Sequence, residues 1–295
     1  MSTKKEVAIQ SAQTVSVLRA VAAEEKDPFV QSGDYLAKHF LTKKYKLFVS
    51  LLPHRLIKMI IHFSSPGSYC FMISRTKHFD QTLLREIDAG VKQVVILGAG
   101  YDTRPFRFAD KLKGIPVFEV DFPGTQSYKR EKLQNICQGN PPGLTFIPLD
   151  FNKTPFDRAL IENGFSPNLK TLFLWEGVSY YLAEPVVKQV LGFVSCCAVG
   201  SSILFDYATK DFVNGDRSSY GGKHLARWLE KIKEPFLFGM NSNQTKGFVS
   251  NCRLSLVSDY GPDEVENMYL KTRKGQVLGR TLGHVRMAHA KVTSH

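Results

Sequence analysis

From Lys92 onward the chain alternates between two kinds of pattern. Short continuous apolar runs at 93–97, 116–120, 144–149, 171–175 and 201–206 are bounded by turn residues, and the stretches at 104–113, 124–138, 154–163 and 184–198 read as helices. An unbroken apolar run of this length suits a strand buried on both faces, as in a parallel sheet covered by helices. Strand alternating with helix therefore predicts a doubly wound, mostly parallel α/β sheet. Beyond it, helices are expected near 221–233, 243–250 and 262–272, and two last strands, 253–258 and 284–292, as an antiparallel edge hairpin.

The first third of the chain reads differently. Residues 12–25 predict a helix that ends near Asp27-Pro28, because the residue before proline avoids the α region. Residues 35–64 hold two helical segments broken near Pro53, with Leu51-Leu52 and Ile57, Ile60 and Ile61 as apolar stripes beside a basic face. Ser64-Ser65-Pro66-Gly67 reads as a hinge, followed by a helix over 68–90. The expected division is a helical cap or lid at 1–67 and a main domain at 68–295. Besides a packed cap, the basic segment could be a mobile lid or a helix lying on a membrane surface.

Candidate chemistry sits where the first two strands end. Val94-Val95-Ile96-Leu97 breaks into Gly98-Ala99-Gly100, and about twenty residues on, Val117-Phe118 runs into Glu119-Val120-Asp121. The glycines allow a tight turn and close approach of backbone to a ligand. An acidic residue on the neighbouring strand suits ribose hydroxyls. The ligand at this point is either NAD or S-adenosylmethionine. A dinucleotide turn needs a third glycine, and that position is Thr103. Asp102 in the turn would also repel a pyrophosphate and suit a cationic ligand.

Arg75-Thr76-Lys77-His78-Phe79-Asp80, Leu97-Gly98-Ala99-Gly100-Tyr101-Asp102-Thr103-Arg104 and Glu119-Val120-Asp121-Phe122-Pro123 stand in an order and spacing that resemble the leucine carboxyl methyltransferase family. Asp150-Phe151 and Trp175-Glu176-Gly177-Val178-Ser179-Tyr180-Tyr181-Leu182 are similar to its later blocks, so the resemblance covers residues 12–207. The D-T-R turn is closer to the bacterial members than to the eukaryotic protein-phosphatase enzymes. The resemblance implies a class I methyltransferase fold, Rossmann-like and seven-stranded, with S-adenosyl-L-methionine as cofactor.

It also implies roles. Arg75 would bind the carboxylate of the cofactor's methionine end, for which a planar bidentate donor is suited; the plainer reading is a surface arginine paired with an acid such as Asp80. Gly98 and Gly100 would give backbone access to the methionine portion, with Asp121 and nearby Glu119 accepting from the ribose. Asp150 would accept from the adenine amine beside Phe151, and Glu176 would contact the amino end. Gly98, Asp121, Asp150 and Glu176 are expected at the carboxyl ends of four successive strands, where open α/β sheets bind ligands. Tyr180, Tyr181, Asp206 and Tyr207 follow strands four and five on the acceptor side, as candidate base or binding groups. A carboxylate acceptor needs no base.

Composition narrows the partners. The net charge is +12, and between Asp34 and Asp80 there are eight lysines and arginines but no acid, which favours an anionic small-molecule substrate. The basic residues are interleaved with Leu, Ile and Phe, which argues against nucleic acid. Five cysteines without CxxC spacing read as reduced thiols of a cytoplasmic protein, the histidines show no metal-ligand spacing, and no run is long enough to span a membrane. No secretory signal is read at the amino terminus. The reading is an O-methyltransferase acting on a small carboxylate or hydroxyl. Its alternatives are a protein C-terminal carboxyl methyltransferase and a catalytically silent cofactor-binding protein, with an NAD oxidoreductase disfavoured by Thr103.

Overall fold

The computed structural model describes residues 4–134, 136–137, 139–150 and 156–294, with side chains from Ala12 onward. The elements in chain order are α1 (Lys4–Ala23), α2 (Lys43–Leu51), α3 (His54–Ser64), α4 (Ser68–Asp88), β1 (Gln93–Leu97), α5 (Arg104–Arg107) and β2 (Val117–Asp121). They continue with α6 (Pro123–Gln134), β3 (Leu144–Pro148), α7 (Phe156–Glu162), β4 (Thr171–Trp175), α8 (Glu184–Ser195), β5 (Ser202–Ala208) and α9 (Lys210–Val213). The last are α10 (Gly222–Ile232), α11 (Ser242–Asn251), β6 (Ser255–Tyr260), α12 (Pro262–Tyr269) and β7 (Val285–Lys291).

The seven strands form one sheet in the order β3-β2-β1-β4-β5-β7-β6. The first five are parallel, in the registers Val95↔Phe118, Val95↔Phe173, Phe118↔Thr145 and Phe173↔Ile203. The edge beyond β5 is antiparallel, as the two closing apolar runs predicted. The order reverses between β1 and β4, which makes the end of β1 the switch point.

The chain divides into two compact units. One comprises 79–213, 236–259 and 286–295 and contains nearly all of the sheet. Here β1, β4 and β5 are buried along their whole length, which explains their continuous apolar sequences. α8 supplies Val187, Val190, Leu191 and Val194 at helical spacing to the same core as Phe173 and Phe205, and it begins with Pro185 in its first turn.

The other unit comprises 1–78, 214–235 and 260–285. The stretch at 1–67, read from the sequence as a cap, is thus part of a larger body that includes α10 and α12. Its core joins Val17 and Val21 of α1, Ile57 and Ile61 of α3, Ile73 of α4 and Leu270 after α12. Two ion pairs belong to it: Lys58 donates to Glu25 at 2.6 Å, and buried Arg19 lies 3.8 Å from Asp34. α12 starts at Gly261-Pro262, with Glu264 accepting the Gly261 amide at 2.9 Å.

Candidate active site at the strand ends

β1, β2 and β4 pass from a buried strand body to a half-buried end, and β3 is half-buried over most of its length. Gly98, Gly100, Asp121, Asp150 and Glu176 are all half-buried and lie at or just beyond those ends. The ladders hold the ends together: the Gly98 and Ala99 amides both donate to Val120 at 2.8 and 3.1 Å, and the Leu149 amide donates to Asp121 at 2.8 Å. Four segments distant in sequence therefore meet at the switch point.

The glycines are required by the backbone. Gly98 and Gly100 have φ of +64° and +50°, in the left-handed region. A Cβ on Gly98 would stand 2.4 Å from Val178 Cγ2, so only glycine lets β1 end against the loop that follows β4. That loop is fixed in turn by Asp206 of β5, which accepts the Gly177 amide at 2.7 Å and whose carbonyl accepts the Ser179 hydroxyl.

Asp121 accepts the amides of Gly100 and Phe122 at 2.7 and 2.6 Å. Burial pushes its carboxyl up to about 6, against the pull of these two amides. Glu119, two residues earlier on β2, shares the face of Asp121 by alternation but lies deeper in the strand. There it is wholly buried, and Lys129 of α6 contacts both its oxygens at 2.7 Å. Burial raises the Glu119 carboxyl to about 7 even so. The sequence reading placed Glu119 near the ribose; the structure commits both its oxygens to Lys129.

A second set of charges surrounds Arg104. Its guanidinium, only 1% exposed, lies 2.7 Å from Asp80, 2.5 Å from Asp102 and 2.8 Å from Glu176. Arg107 binds the same Asp80 through two nitrogens at 2.7 and 2.9 Å. The three neighbouring carboxylates raise the basicity of Arg104 against the cost of its burial. Asp102, expected to face a cationic ligand, instead folds back on Arg104 and also accepts its amide at 2.7 Å. The D-x-R spacing makes that local closure short.

Arg75 lies in the other unit, on α4. It is buried rather than on the surface, its guanidinium stands 5.1 Å from the ring centre of Phe71, and one nitrogen lies 3.5 Å from the Met72 sulfur. Asp80 is engaged by Arg104 and Arg107. Phe151 lies outside the described residues.

The three acceptor-side tyrosines separate. Tyr180 and Tyr181, in the short 3-10 turn after β4, both pack against Phe236, Tyr180 tilted at 4.2 Å and Tyr181 edge-on at 5.2 Å between ring centres. Tyr207 is fully buried in β5, and its hydroxyl is committed to Thr245 at 2.7 Å and to Asp259 at 2.9 Å, beside Arg286. Burial, and after it the charge of Asp259, push this phenol well above its ordinary range.

Sequence reasoning did not find the Arg104 cluster or Lys129. Asp80, Asp102 and Arg104 all stand inside the quoted blocks, but their pairing depends on the turn after β1 meeting α4. Lys129 stands in α6 with no pattern to mark it.

The fold defines the class: a seven-stranded, Rossmann-like sheet of the class I methyltransferase type. A duf574 family protein from Streptomyces avermitilis superposes with a TM-score of 0.62 at 12% identity, covering 97% of this chain and 99% of its own. A Thermobifida fusca protein provisionally named a methyltransferase gives 0.58 at 14% identity, covering 99% and 100%. The family is shown by sequence: the leucine carboxyl methyltransferase model matches residues 12–195, and the chain belongs to that family. YktD of Bacillus subtilis strain 168, provisionally named an S-adenosyl-L-methionine-dependent methyltransferase, is 32% identical over 203 residues, 68% of this chain and 66% of its own length. A Mycolicibacterium gilvum protein named in the same way is 31% identical over 67% of this chain and 65% of its own. The chain thus spans about two thirds of each of these relatives.

Proposed function

We propose that the protein is an S-adenosylmethionine-dependent O-methyltransferase acting on a carboxylate or hydroxyl of a small anionic molecule. The observation that carries this reading is the convergence of Gly98, Gly100, Asp121, Asp150 and Glu176, all half-buried, at the ends of four adjacent parallel strands. The donor set fits the cofactor. Two glycines in left-handed conformation leave backbone room, a carboxylate on β2 suits vicinal hydroxyls, and acids at β3 and β4 suit amino groups. Relatives carrying the cofactor in their names support the same choice.

In this reading Asp121 accepts from the ribose, Asp150 from the adenine amine, Glu176 from the amino end, and Arg75 binds the terminal carboxylate. Arg104 positions Glu176, and Lys129 keeps Glu119 charge-balanced behind the site. The cofactor, when bound, supplies an electrophilic methyl group. The chain's task is then to align an acceptor oxygen with it and to exclude water. An acceptor carboxylate is already ionised at neutral pH, while a hydroxyl would draw on a neighbouring base, for which Tyr180 and Tyr181 are the candidates. Tyr207 serves instead to hold β5 to the strand pair beyond it.

The charge of +12 supports the anionic acceptor. Five free cysteines support a reducing, cytoplasmic setting. The test is transfer of labelled methyl from S-adenosylmethionine to a panel of small acids and phenols by the purified protein. Ester or ether products support the reading; label only on nitrogen or sulfur acceptors, or only on protein bands of a cell lysate, would sink it.

A further inference from the structure

Helices α2 and α3 turn apolar side chains away from the protein. In α3, Ile57 and Ile61 are 1% and 7% exposed and pack on Val17, Val21 and Ile73. At 3.6 residues per turn Met59 and Phe63 fall on the opposite side, and they are 49% and 72% exposed. In α2, Tyr45, Phe48 and Val49 pack against the core, while Leu47 and Leu51, 59% and 70% exposed, face out. Single exposed apolar residues are ordinary, but four this open on two consecutive short helices form an apolar face without a partner.

The charge around that face has one sign. Lys43, Lys44, Lys46 and Arg55 are exposed, and no acidic residue occurs between Asp34 and Asp80. Lys58 is neutralised by Glu25 at 2.6 Å, whereas Lys43, Lys44, Lys46 and Arg55 form no ion pair among the described residues. Leu47 and Leu51 are thus flanked by three lysines, the arrangement in which long basic side chains reach up to an anionic surface while leucines enter it.

We propose that the outward face of α2 and α3 docks on an anionic phospholipid bilayer, with both helices lying in the interface. No single described helix is long and apolar enough to cross a membrane; α2 and α3 together meet that test by composition but are bent by 119° at their junction. Helices of 9 and 11 residues in that bend suit the plane of the interface, since each covers well under the roughly 30 Å of a hydrocarbon core. A second copy of the chain is a poor occupant, because an isologous contact would bring the same unpaired lysines together. This surface is independent of the proposed methyl transfer.

The test is sedimentation of the full-length protein with phosphatidylcholine vesicles, with and without phosphatidylglycerol. Binding is expected only to the anionic vesicles, and it should weaken as salt is raised. Each lysine near such a surface contributes about fivefold to partitioning, so Lys43→Gln, Lys44→Gln and Lys46→Gln together should lower it on the order of a hundredfold. Leu51→Asp with Phe63→Asp should abolish it with unchanged circular dichroism. No binding to anionic vesicles, or equal binding by the lysine variant, would overturn the proposal. So would tighter binding to polyglutamate than to vesicles, or a dimer in light scattering that the aspartate variant dissociates, since either outcome marks a protein interface.

Discussion

The carboxylate of Glu176, at the end of β4, lies 2.8 Å from the guanidinium of Arg104, in the turn after β1. Because the same guanidinium holds Asp80 and Asp102, one buried cation ties α4, the β1 turn and the β4 end together. Arg104→Met should therefore leave buried carboxylates without their shared partner and cost about 3–5 kcal/mol of stability. Arg104→Lys should recover little, because a single ammonium cannot reproduce the planar fork. Urea unfolding of the three proteins measures both effects, and near-native stability of the methionine variant would show that the cluster carries little of the fold.

Gly98 and Gly100 should respond differently to alanine. At Gly100 a Cβ meets nothing closer than 3.9 Å, so the cost is the left-handed backbone alone, about 1–2 kcal/mol. At Gly98 the clash with Val178 adds about 1–3 kcal/mol of overpacking. Val178→Ala in the Gly98→Ala background should restore the second part and not the first, which a double-mutant cycle in denaturant resolves.

The tyrosines should separate kinetically. Tyr207→Phe removes a hydroxyl from Asp259 and Thr245, so it should cost on the order of 1–2 kcal/mol in stability with little effect on turnover. On a hydroxyl acceptor, Tyr180→Phe or Tyr181→Phe should instead lower kcat. Turnover lost in Tyr207→Phe at unchanged melting temperature would contradict this assignment.

Asp121 sets a pH dependence with a definite sign. Its carboxyl, near 4 in an unfolded chain, is raised to about 6 by burial. The folded protein thus holds a proton between those values that the unfolded chain has released. The contribution is fully present below about pH 4 and is lost as pH rises through 6. Glu119, raised to about 7, acts in the same direction. Asp121→Asn should flatten the fall between pH 4 and 6 in urea midpoints and leave the portion due to Glu119. If the ionised carboxylate receives the ribose, cofactor affinity should weaken below about pH 6 in the native protein and lose that dependence in the variant.

The parallel strands were legible because each is buried on both faces. The runs at 93–97 and 171–175 match β1 and β4 residue for residue. The helix expected over 104–113 ends at Arg107 and continues as turns, and there the arginines serve Asp80 rather than a solvent-facing helix. The strand-end residues of the site were readable from the glycine turn and from the acids that close successive apolar runs. The partner of Glu119 was not, because alternation puts it on the same side of β2 as Asp121 but does not say which side chain meets it there. Lys129 supplies that partner only through the packing of α6 on the sheet. Likewise the exposed face of α3 required knowing which of its two apolar stripes the core takes; Ile57 and Ile61 are buried, and Met59 and Phe63 are not.

Calorimetric titration of the purified protein with S-adenosylmethionine, beside Asp121→Ala and Arg75→Ala, tests the central claim most directly. Saturable binding by the native protein is predicted, with each variant weaker by about tenfold or more, the equivalent of at least about 1.4 kcal/mol. Absence of binding, or binding that both substitutions leave unchanged, would contradict the site at the strand ends.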